Sequence, residues 1–107
     1  MRVYFNRRRQ WFDVVLEDVT PTTFHRRGGG RWGYWEGAAE RNPKKGLFGE
    51  MHLVAKRVRN DVVAHECFHV LADWLNGNLN VRNEERAARL LDEIVRNFWR
   101  EYGKCDG

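Results

Sequence analysis

The chain has 107 residues, 42% apolar and 32% charged, with a net charge of +4 and a pI near 9.4. That length allows one domain with a single modest core and excludes a second lobe, while five Trp, three Tyr and six Phe exclude a disordered chain. No apolar run reaches membrane-spanning length, and Met1-Arg2-Val3-Tyr4-Phe5-Asn6-Arg7-Arg8-Arg9 lacks the apolar core of a signal peptide, so a cytoplasmic protein without a membrane partner is expected.

The first half reads as short strands. Residues 3–5 are β-prone, and residues 11–19 alternate Phe12, Val14 and Leu16 against Asp13 and Glu17, which predicts a half-buried antiparallel pair turning at Arg7-Arg8-Arg9-Gln10. Thr20-Pro21-Thr22-Thr23 ends the second strand. Arg26-Arg27-Gly28-Gly29-Gly30-Arg31 reads as a loop; without a following Gly-Lys-Ser/Thr or a helix to open, it is no phosphate cradle. Residues 32–35 form a further apolar stretch, residues 36–40 a helical turn, and Asn42-Pro43-Lys44-Lys45-Gly46 a break before a strand over Leu47–Val54.

Ala64-His65-Glu66-Cys67-Phe68-His69-Val70 contains H-E-x-x-H inside a predicted helix over residues 61–76, opened by Asn60-Asp61 and stopped by Asn76-Gly77. Four residues apart on a helix, His65 and His69 lie one above the other and can share one ion. Zinc takes neutral histidine nitrogens at about 2.0–2.1 Å, and a catalytic site leaves one position to water. Glu66, one residue on, points partly sideways, where its carboxylate can take a proton from the water that zinc activates. Val62, Cys67, Phe68, Leu71 and Leu75 approximate the core-facing stripe of this helix. The plain alternative is a histidine pair satisfied by ordinary hydrogen bonds.

A second helix is predicted over residues 83–102, with Asn83 as its cap and Glu84 and Glu85 in its first turn. Two histidines followed by a downstream Glu that opens a helix resemble a zincin metallopeptidase of the gluzincin type, in which two His and one Glu bind zinc. More narrowly, Gly49-Glu50-Met51-His52-Leu53-Val54, the histidine motif and Glu85-Arg86-Ala87-Ala88-Arg89-Leu90-Leu91 resemble small H-E-x-x-H proteins encoded by phages and prophages. The resemblance implies one zinc per chain, held by His65, His69 and a carboxylate. Family spacing selects Glu85, through Ala88, Leu90 and Leu91. Helical phase selects Glu84, since Ala87, Ala88, Leu91, Val95 and Phe98 follow it along one face. Because a metal cleft opens at the margin of a helix pair, Glu85, toward the edge of that face, is the expected ligand. The resemblance also implies that Leu47–Val54 is an edge strand along which a peptide lies extended.

The expected architecture is therefore α+β, a small antiparallel sheet of three to five strands within residues 1–58 packed on the two helices. The expected function is zinc-dependent hydrolysis of peptide bonds with Glu66 as general base, on a peptide or protein substrate, in the cytosol of the host if the chain is phage-encoded. Candidate oxyanion donors are His52, Tyr34, His25 and Tyr102. Two alternatives stand beside this one. In the first, zinc only stabilises a non-catalytic interaction module. In the second, Arg7, Arg8, Arg9, Arg26, Arg27, Arg31, Lys44, Lys45, Lys56, Arg57 and Arg59, interleaved with Trp32, Tyr34 and Trp35, bind nucleic acid. Cys67 and Cys105 are expected to be free thiols.

Overall fold

The computed structural model describes residues 1–20, 32–37, 46–76, 80 and 82–106, residues 105 and 106 by backbone alone. Strands β1 (Arg2–Phe5), β2 (Gln10–Glu17), β3 (Gly33–Gly37) and β4 (Leu47–Val54) form one sheet in the order β1-β2-β4-β3. A short 3-10 turn over Ala55–Arg57 leads into helix α1 (Asn60–Leu75), and helix α2 (Glu84–Asp106) follows. The fold is α+β, as the sequence predicts.

The sheet is mixed, not wholly antiparallel. β1 and β2 make the expected antiparallel hairpin, with Val3 opposite Phe12, but β2 runs parallel to β4 from Phe12↔Gly49 to Glu17↔Val54. Parallel neighbours require a crossover, and the chain between them supplies it by way of β3, which pairs antiparallel on the far side of β4. Leu47–Val54 is consequently an interior strand, and the edge expected there is β3. Glu36 and Gly37, read from sequence as the start of a helical turn, end β3; residues 38–40 lie outside the described residues, as does the Arg26–Arg31 loop.

Alternation sorts the strands by face. Val3, Phe5, Phe12, Val14, Met51 and Leu53 point to one side and join Val63, Cys67 and Val70 of α1 and Ala87, Leu90, Ile94 and Phe98 of α2 in one core. Both helices therefore cover the same face. α2 lies along β1, where Asn97 Nδ2 donates to the Tyr4 carbonyl at 2.8 Å, and α1 lies along β3, where Trp35 Nε1 donates to Asp73 Oδ2 at 3.0 Å. Gly49 is what lets the Trp35 ring rest on the sheet, since a Cβ there would meet the ring at 2.5 Å and the Glu36 carbonyl at 2.5 Å.

The helix ends follow local chemistry. Asn76 stops α1 in the left-handed conformation at φ 51°, as predicted, whereas the start has Arg59 in extended conformation with no side-chain cap and Asp61 in the first turn. Before α2, Asn80 and Asn83 bond each other reciprocally: Asn83 Oδ1 accepts from Asn80 N–H at 2.8 Å, and Asn80 Oδ1 accepts from Arg82 and Asn83 N–H. The buried stripe of α1 is rotated from the sequence reading. Val62, Val63, Glu66, Cys67, Val70 and Leu71 are buried, while Phe68, about 100° round the helix from Cys67, is 50% exposed.

Candidate metal centre

The rotation of α1 decides what the motif residues do. With Val63, Cys67 and Val70 inward, His65 and His69 face solvent, the His65 side chain being 69% exposed, and their Nε2 atoms stand 3.2 Å apart. Glu66 falls within the buried stripe and is only 4% exposed, so it turns inward, not sideways as the sequence reading has it. Room for it comes from β3. At Gly33 a Cβ would lie 3.0 Å from Glu66 Cγ, 2.8 Å from Leu53 Cδ2 and 3.0 Å from the His52 carbonyl, so only glycine admits the carboxylate between helix and strand.

Electrostatically the cluster is unfinished. Glu66 Oε1 is buried without a hydrogen-bond partner, and Oε2 stands 4.0 Å from His65 Nε2, beyond hydrogen-bond range. Burial pushes the Glu66 carboxyl above its ordinary value, and His65 beside it pulls partly back. Burial and the neighbouring His65 both hold His69 below the usual histidine value, favouring the neutral form that binds metals. A buried carboxylate oxygen without a donor is costly unless a cation or a polar ligand completes it.

The donor set fits zinc. Two nitrogens bound tetrahedrally at about 2.0–2.1 Å lie about 3.3–3.4 Å apart, close to the 3.2 Å seen between the imidazoles. His65, Glu66 and His69 can each offer an atom within 4.8 Å of the others, and they are the one such group of three among the described residues. Glu85 lies elsewhere. It stands two residues before buried Ala87, about 160° round α2 from that residue, and its 77% exposed carboxylate accepts from Arg89 Nε at 3.1 Å. The helical face is centred on Ala87, Leu90, Ile94 and Phe98, not on the phase drawn from Glu84, so Glu85 is on the solvent side instead of the edge. Glu84 is exposed too.

The proposed oxyanion donors also separate. His52 and Tyr34 occupy the sheet face away from the helices, the neighbours of inward Met51, Leu53 and Gly33; they stack at 4.3 Å, and His52 sits between Glu17 (3.1 Å) and Glu50 (2.6 Å). Tyr102 stacks on Phe98 within α2, and His25 lies outside the described residues. What sequence reading missed is the part played by β3. Gly33, Trp35 and Gly37 alternate on its inner face, where the glycines admit Glu66 and Asp73; small-large-small alternation in Gly33-Tyr34-Trp35-Glu36-Gly37 was the available signal.

No family model, curated protein or solved structure matches this chain. No helix among the described residues is long and apolar enough to cross a membrane.

Proposed function

We propose that the chain is a zinc-dependent peptidase in which His65 and His69 hold the metal and Glu66 is the general base. The observation that carries this reading is a solvent-facing imidazole pair, spaced for one ion, beside a buried carboxylate with an unpaired oxygen. Zinc, when bound, supplies a Lewis acid that polarises a water and the scissile carbonyl. Glu66 accepts the proton of the attacking water and returns it to the leaving amine nitrogen; burial raises its proton affinity toward that task. The edge strand β3 favours a peptide substrate, because an extended chain added to it would run past Gly33 and so past Glu66.

The role of Glu66 separates two readings. Glu85, to which the resemblance points, is turned to solvent and bonded to Arg89, while the geometry sets Glu66 within 4.8 Å of both histidines, which favours, as a second reading, a zinc-stabilised module with Glu66 as ligand and no base. Glu66→Gln distinguishes them. A peptidase variant keeps its zinc and loses about 10²–10⁴-fold in cleavage of an unstructured protein, parent activity being blocked by chelator and restored by zinc. Loss of zinc from that variant supports the module. Cleavage at parental rate contradicts the assigned mechanism.

A further inference from the structure

The turn joining β1 to β2 holds Asn6, Arg7 and Arg8 at φ values of 54°, 55° and 66°, three successive left-handed residues with no glycine. Side chains with a Cβ resist that conformation, so it persists only where surrounding contacts impose it. Two such contacts are present. The Arg7 N–H donates to Glu93 Oε1 of α2 at 3.3 Å, and Asn6 Nδ2 donates at 3.1 Å to Gln10 Oε1, which also accepts from Trp74 Nε1 at 3.0 Å. The turn is thereby fixed beside the end of α1 and the first half of α2.

Between these elements lies a cleft of about 710 Å³ lined by five arginines against two glutamates. Arg7 and Arg9 come from the turn; Arg82, Arg86 and Arg89 come from the α2 side. Both glutamates are engaged, Glu85 with Arg89 and Glu93 with the Arg7 N–H, and the Arg7, Arg9 and Arg82 side chains have no acidic partner among the described residues. Arg86 lies 5.1 Å above the Trp74 ring, whose N–H is already bound to Gln10, so the indole meets the cleft as a flat apolar surface. Trp74 follows His65 by nine residues, about 13 Å further along α1, which separates the cleft from the histidine pair.

We infer that this cleft binds single-stranded nucleic acid, with Arg7, Arg9 and Arg82 on phosphates and the Trp74 and Arg86 pair as a stacking platform for a base. Guanidiniums set around an aromatic plane match a chain that alternates phosphate and base, whereas an acidic peptide would use the charges and leave the plane idle. The volume suits a few nucleotides and not a duplex. This site is independent of the metal.

The test is anisotropy of a fluorescein-labelled oligothymidylate at low salt and through a salt titration, with circular dichroism confirming the fold of each variant. Arg9→Glu and Arg82→Glu should each weaken binding about tenfold and flatten the slope of log K against log salt by about 0.7. Arg100→Glu, which changes net charge equally on exposed α2 surface, should leave affinity within about twofold, and chelator should have no effect. No association at low salt overturns the proposal. Equal weakening by Arg100→Glu reduces it to diffuse attraction, and displacement by polyglutamate at equal charge assigns the cleft to acidic polypeptides instead. Loss of binding on chelation with the fold intact places the anion on the metal and also overturns it.

Discussion

Burial of Glu66 beside an exposed histidine pair leaves a thermodynamic trace that can be read without any substrate. Its carboxyl starts from an ordinary value of 4.5 and is raised in the folded chain, so between the two values the native state holds more protons than the unfolded one. Stability therefore falls as pH rises through that interval. With chelator present, the parent's Tm should drop above about pH 4.5, and Glu66→Gln should flatten the drop and melt higher than the parent at neutral pH. A variant no more stable than the parent at neutral pH would mean that the carboxylate has a partner. Next to it, burial and the Glu66 carboxylate push the Cys67 thiol up to about 12. Alkylation of the native protein at neutral pH should leave Cys67 unmodified by mass spectrometry, and rapid labelling there would contradict the packing of α1.

Three glycines test how the elements pack. A methyl at Gly33 meets Leu53 and Glu66, one at Gly49 meets the Trp35 ring and a backbone carbonyl, and one at Gly103 in α2 meets nothing within 4 Å. Gly33→Ala and Gly49→Ala should each cost about 1–3 kcal/mol in denaturant unfolding, while Gly103→Ala should stabilise by about 0.8–1 kcal/mol through helix propensity. A neutral outcome at Gly33 would show that α1 does not approach β3 as described, and one at Gly49 that the Trp35 ring does not rest on β4. Both helices, the β1–β2 hairpin and the Asn76 stop were legible in the sequence, because 3.6-residue and two-residue periods are local signals. The parallel pairing of β2 with β4 was not, since strand order depends on a crossover through residues 18–46 that leaves no periodic mark. The phase of α1 is not legible for a related reason: Phe68 and Val70 are both apolar, and only contact with β3 and α2 decides which is covered.

Across the whole molecule, the site was partly legible. The spacing of His65, Glu66 and His69 is written in the chain, and the fold brings those three together. Motif spacing selects Glu85, yet its side of α2 is set by burial of Ala87, Leu90, Ile94 and Phe98 and its carboxylate by Arg89. The basic cleft was legible only in part: Arg7 and Arg9 belong to the basic set read from sequence, but Arg82, Arg86 and Arg89 join them only after β1 and α2 pack together. Substituting Glu85→Gln should accordingly leave zinc affinity within about threefold of the parent by competition with a chromogenic chelator, a loss of tenfold or more being the mark of a ligand. The most direct test of the metal centre is zinc content by elemental analysis after reconstitution and desalting. The parent should retain one zinc per chain, and His65→Ala and His69→Ala should retain none. A folded parent that takes up no zinc would contradict the centre, and with it the peptidase.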